Sequence, residues 1–150
     1  MEKKPQAFEG AVFADDRGVF SPFLDAEKNP ELFKAMGGIK RVYYVYNHAA
    51  NVVRGFHYHE KEWKIFGIVA GAAKFVAVNP KNPEEKFTFI SSERKNQVIV
   101  IPPGFANGWV SLEPNTVLIC ASNATTNESR ADDKRFDPFG WGDVWTVQSR

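Results

Sequence analysis

Apolar positions in this chain fall into short runs, punctuated at close intervals by Gly, Pro, Asn or Asp. Residues 8–13 read as a strand that breaks at 14–18, where Asp and Gly supply a turn, and Val19-Phe20 resumes it. Residues 39–46 are rich in β-branched and aromatic side chains and predict a further strand, with 47–51 as the turn into Val52-Val53. Residues 65–69 and 73–78 flank Ala70-Gly71-Ala72 like the arms of a hairpin, and 79–85 carry the local signals of a loop. More strands are predicted at 87–90, 98–101, 108–112 and 116–121. Helix punctuation occurs once: Asn29 as cap, Pro30 at the first position, Glu31 at the positive end of the dipole and Gly37-Gly38 as the stop. Many short strands with one short N-terminal helix predict an all-β sandwich or barrel, a single domain over 1–150.

Composition narrows the class. The chain is 43% hydrophobic and 14% aromatic, which is globular rather than disordered material. A net charge of +1 provides no global field for nucleic acid or an acidic membrane, so an anionic ligand must be held by local cations. Nothing behind Met1 reads as a leader and no apolar run reaches membrane-spanning length, so a cytoplasmic protein is expected. Cys120 sits in the apolar run Val117-Leu118-Ile119-Cys120-Ala121 and reads as a buried, inert thiol. The tail, 123–150, is polar to Arg135 and then carries Phe136, Phe139, Trp141 and Trp145, rings costly to leave in water; it is expected to fold back on the barrel or onto a partner subunit.

The candidate chemistry is concentrated in Arg54-Gly55-Phe56-His57-Tyr58-His59-Glu60-Lys61-Glu62-Trp63-Lys64. On a strand, His57 and His59 share a face, while Arg54 falls on the opposite one unless a bulge at Gly55 restores the register. The layout resembles small cupin barrels, which carry a metal on His-x-His, a following Glu and a later His after Pro-x-Gly. Here Lys64 stands in place of the Glu, and Asn107, after Pro102-Pro103-Gly104-Phe105-Ala106, in place of the His. An ammonium beside a cation and an amide in place of imidazole do not make a transition-metal site, so a cupin double-stranded β-helix without metal or other cofactor is expected.

Asp16-Arg17-Gly18-Val19-Phe20, Val53-Arg54-Gly55-Phe56-His57, Lys64, Ile101 through Trp109, and Phe136-Asp137-Pro138 fall in the order of motifs of the dTDP-4-dehydrorhamnose 3,5-epimerase family, which the chain resembles over most of its length. The central stretch is also similar to sugar-nucleotide 3,4-ketoisomerases. Both families act on nucleoside-diphosphate 4-keto-6-deoxy sugars, and both resemblances imply a homodimer. Moving a proton next to a ketone requires a base of near-neutral pKa and a cation at the developing enolate oxygen. The resemblance implies His57 as the base and Lys64 as the cation, with Arg17, Phe20, Arg54, His59 and Asn107 around the nucleotide sugar. The family's tyrosine acid has no counterpart after the strand ending near Cys120, and no tyrosine follows Tyr58. Three readings stay open: an epimerase returning the proton through Tyr44, Tyr46, Tyr58 or water; a ketoisomerase shuttling protons between His57 and His59; and a non-catalytic sugar-nucleotide-binding cupin. The orienting partner of His57 has no assigned residue beyond Asp143 as a candidate.

Overall fold

The computed structural model describes residues 2–149 and is built almost wholly of strands. In chain order these are β1 (Gln6–Glu9), β2 (Phe13–Asp15), β3 (Gly18–Phe20), α1 (Pro30–Met36), β4 (Arg41–Asn47), β5 (Val53–Tyr58) and β6 (Lys64–Ala70). They continue with β7 (Ala72–Asn79), β8 (Asn82–Ser92), β9 (Gln97–Ile101), β10 (Ala106–Ser111), β11 (Thr116–Ser122), α2 (Thr126–Asp132) and β12 (Lys134–Arg135). One antiparallel sheet has the order β1-β9-β6-β11-β4, and a second has the order β12-β5-β10-β7-β8. The strands β2 and β3 pair only with each other. This is a cupin-type jelly roll.

Three layers of packing hold it. Between the sheets, Phe66, Ile99, Leu118 and Cys120 from the first meet Phe75, Ala77 and Trp109 from the second. The helix α1 lays Leu32 and Met36 over the outer face of the first sheet, on Ile65, Val98, Val100 and Ala121. The segment after β12 covers the outer face of the second sheet, where Trp145 joins Phe56, Val76 and Val110, and its ring centroid lies 4.8 Å from that of Phe56. Complete burial of a phenylalanine such as Phe56 or Phe75 contributes roughly 1.5–3 kcal/mol. No helix among the described residues is long and apolar enough to cross a membrane.

Four local expectations change. The strand expected over 8–13 is split, since β1 ends at Glu9 and β2 runs from Phe13 through Asp15, and the turn before Gly18 narrows to Asp16-Arg17. The runs around Gly71 are not a hairpin: β6 belongs to one sheet and β7 to the other, so the chain crosses between layers there. The expected loop at 79–85 contracts to Pro80-Lys81, and β8 starts at Asn82 with Pro83 inside it. Proline is tolerated because β8 is an edge strand, where a missing N–H leaves no neighbour unpaired. A second helix, α2, arises from a capping box, in which Thr125 accepts from the Glu128 backbone and the Glu128 side chain from the Thr125 backbone.

Candidate active site

The strand β5 decides which side chains reach the space between the sheets. Opposite it on β10, Asn107 pairs with His57 and Trp109 pairs with Arg54, so three steps on β5 face two on β10. Two glycines make this bulge possible. A Cβ on Gly55 would lie 2.7 Å from Gly108 Cα, and one on Gly108 would lie 2.7 Å from the Arg54 carbonyl oxygen. The extra residue turns Phe56 outward into the Trp145 cluster and leaves Arg54 and His57 lining the same cavity of about 480 Å³, with Lys64, Asn107 and Tyr43. An adjoining cavity of about 320 Å³ shares Tyr43, His57, Lys64 and Arg135 with it and adds Arg41, His59 and Asp133.

His57 is the partly open histidine of the site, and its Nδ1 lies 3.2 Å from Asp133 Oδ1. Burial, then Lys64 and Arg135, lowers its pKa from the ordinary histidine value, while Asp133 opposes the shift. Partial burial works against ionisation of Asp133, but hydrogen bonds from Arg135 and His57 outweigh it and hold that carboxyl below its usual range. Asp133 ends α2, so the helix missing from the sequence reading is what delivers it. Asp143 instead accepts from the backbone of Trp145 and Thr146.

Lys64 begins β6 on the facing sheet and is buried, with Nζ 3.9 Å from Glu62 Oε2. Burial lowers its pKa, and Glu62 partly restores it. His59 is only 4% exposed and sits behind His57, with Nε2 3.0 Å from Glu62 Oε2 and 3.5 Å from Asp133 Oδ1. Its pKa is lowered by burial and by Lys64, so the ring is neutral and Nε2–H donates to Glu62. The Glu62 carboxylate also accepts from Arg41 at 2.8 Å, Ser122 at 2.5 Å and Ser129 at 2.7 Å. Arg54 donates through Nε to Asn47 Oδ1 at 2.6 Å and has no carboxylate partner among the described residues, so its charge is available to an anion. Asn107 donates through Nδ2 to the carbonyls of His57 and Phe105, which leaves Oδ1 as the atom that can meet a ligand.

Arg17 and Phe20 are not brought to this cavity. They lie on the β2–β3 hairpin, both exposed, with Arg17 bonded to Asp15, and line a separate cleft that shares no residue with the His57 cavities. The tyrosines also differ from expectation. Tyr44 is 76% exposed on the outer face of β4, Tyr46 donates to Asn115, and Tyr58 packs on Phe136; none of them lines either cavity, whereas Tyr43 lines both.

The donor set does not fit a metal. The Nε2 atom of His59 is engaged by Glu62, Lys64 presents an ammonium, and Asn107 donates to the backbone. Among the described residues, no group of three or more His, Cys, Asp or Glu is arranged to hold an ion.

A two-sheet jelly roll with titratable groups converging between the layers defines a cupin-type enzyme scaffold. The family model for dTDP-4-dehydrorhamnose 3,5-epimerase matches residues 5–137, and the chain belongs to that family, whose members are enzymes of the epimerase and isomerase type. The spore coat polysaccharide biosynthesis protein SpsL of Bacillus subtilis (strain 168) is 25% identical over 144 residues, 91% of each chain. The Legionella pneumophila dTDP-6-deoxy-D-glucose-3,5-epimerase RmlC, solved with dTDP-4-keto-L-rhamnose, superposes with a TM-score of 0.83 at 19% identity, over 97% of this chain and 80% of that one. ChmJ, a 3'-monoepimerase of Streptomyces bikiniensis solved with dTDP-quinovose, gives a TM-score of 0.78 at 18% identity, over 97% and 79%.

Proposed function

We propose that this protein is a metal-independent epimerase of a nucleoside-diphosphate 4-keto-6-deoxy sugar, acting at C3, C5 or both, in deoxysugar or surface-polysaccharide biosynthesis. The observation that carries this reading is the convergence of His57, oriented by Asp133, and the buried Lys64 on one cavity. His57 takes the proton from the carbon next to the ketone, the C–H electrons pass into an enolate, and the Lys64 ammonium meets the charge that develops on oxygen. Arg54, with no carboxylate to satisfy, holds the diphosphate at the mouth of the same cavity. The relatives solved with dTDP sugars make dTDP the nucleotide to try first. The polysaccharide role of the SpsL relative supports the same pathway class.

The burial of His59 against Glu62 supports epimerisation over a two-histidine shuttle, because His59 engages Glu62 through Nε2 and does not line the cavity that holds His57, Lys64 and Arg54. We also propose that the chain works as a homodimer. Arg17 and Phe20 are too far out on their hairpin to share a cleft with their own His57, so a role in nucleotide binding requires a second copy. Sedimentation or light scattering reads that assembly directly.

Product analysis by proton NMR tests the reaction. Inversion at C3 or C5, read from ring coupling constants, is the expected outcome; movement of the ketone to C3 would establish a ketoisomerase instead, and unchanged substrate would remove both.

A further inference from the structure

Inverting a carbon centre takes two groups on opposite sides of the substrate, since a proton removed from one face must be replaced on the other. His57 supplies one side, from the second sheet. The first sheet presents its inner face across the same cavity, and strand register fixes what stands there. Phe66 on β6 pairs with Cys120 on β11, which pairs with Tyr43 on β4; the row beside it on the same face is Lys64, Ser122 and Arg41. We infer that Tyr43 is the acid that returns the proton, from the face of the sugar opposite His57.

The inference rests on the epimerase reading above. Tyr43 is the one tyrosine among the described residues that lines the cavities, and it reaches both. Tyr43 stands directly across the strand pair from Cys120, and the Arg41 guanidinium lies 4.9 Å from its ring centroid. Burial raises the phenol's pKa well above the ordinary tyrosine value, so the group enters turnover protonated. The step balances. His57 accepts the proton as the C–H bond breaks, and the enolate carbon then forms a new C–H bond with the Tyr43 proton as the phenol O–H breaks. The resulting imidazolium and phenolate are restored by loss and gain of one proton each to water. Arg41 lies against the ring and favours the phenolate while it exists, and Glu62 opposes it. Cys120 cannot substitute: it is fully buried, and burial pushes its thiol up to about 12.

The test separates removal of the proton from its return. The enzyme and its Tyr43→Phe variant are incubated with a dTDP-4-keto-6-deoxyhexose in deuterated water, following exchange and inversion at each carbon by NMR. The variant is expected to keep exchange, because His57 can return deuterium to the face it was taken from, while inversion falls at least roughly a hundredfold. Inversion by the variant at the full rate would overturn Tyr43 and leave the epimerase reading standing. Loss of exchange along with inversion, with dTDP binding retained by calorimetry, would overturn it too, making Tyr43 a positioning residue. If the unaltered protein neither exchanges nor inverts, both the inference and the reading beneath it fail. A second variant guards against a folding artefact: site-specific Tyr43→difluorotyrosine lowers the phenol's pKa and is expected to move the basic limb of kcat/KM to lower pH, and an unmoved limb would contradict the assignment.

Discussion

Asp133 Oδ1 stands 3.2 Å from Nδ1 of His57, and that contact assigns the ring its tautomer: Nδ1–H donates to the carboxylate, and Nε2 is left unprotonated and able to accept a proton. The two residues are 76 positions apart and meet because α2 ends where β12 pairs with β5.

If His57 is the base, replacing Asp133 by Asn is expected to lower kcat by a factor of up to about 10⁴ with a smaller effect on KM, since the carboxylate fixes the tautomer and orientation of the His57 ring. The acidic limb of the rate profile should also move. Asp133 raises the pKa of His57, so its removal shifts that limb to lower pH. A pH-rate profile of both proteins checks the direction, and an upward shift would contradict the geometry.

Lys64→Met removes the cation with little change of volume. Glu62 keeps Arg41, Ser122 and Ser129, so thermal stability should change little. The rate of solvent exchange next to the ketone should drop by roughly 10²–10³. An exchange rate equal to that of the unaltered enzyme would take Lys64 out of the mechanism.

The two histidines of the site make stability depend on pH. His57 and His59 have folded pKa values below the unfolded value of about 6.5. Below that pH the unfolded chain takes up protons that the folded chain excludes, so their contribution is complete above about 6.5 and is lost as the pH falls towards the folded values. Around His59 the groups concerned are Lys64, Glu62, Asp133 and Asp132. Urea midpoints should decline through this window, and His59→Gln should make the decline shallower.

Gly108→Ala places a methyl 2.7 Å from the Arg54 carbonyl oxygen and 2.9 Å from Gly55 Cα, both backbone atoms that cannot swing aside. A loss of about 1–3 kcal/mol in denaturant titration is expected, together with weaker dTDP binding as Arg54 loses its register with His57. Unchanged stability would mean that the bulge is not held by this contact.

Much of this architecture can be read from the chain. The strand runs after the first, the Asn29-Pro30 helix start, and His57 and Lys64 lining one cavity all follow from local pattern or motif. The sheet crossing at Gly71 does not, because turn chemistry says where the chain bends but not which layer it joins. Asp133 has no local mark at all. The helix that carries it does have one, the Thr125-x-x-Glu128 box, which sits in a stretch otherwise read as polar tail. On β4, Arg41-Val42-Tyr43-Tyr44-Val45-Tyr46 has bulky side chains on both faces, so alternation alone could not say that Tyr43 points inward and Tyr44 outward. The bulge at Gly55 settles the face of Arg54, a choice that hung on one glycine meeting another across two strands.

The most direct test of His57 as the base is the loss of proton signal next to the ketone when a dTDP-4-keto-6-deoxyhexose is held with the protein in deuterated water, compared with the His57→Asn variant. Exchange by the unaltered protein and a fall of roughly 10²–10⁴ in the variant are expected, with dTDP binding retained in both. Equal exchange by the two proteins, or binding with no exchange by either, would contradict it.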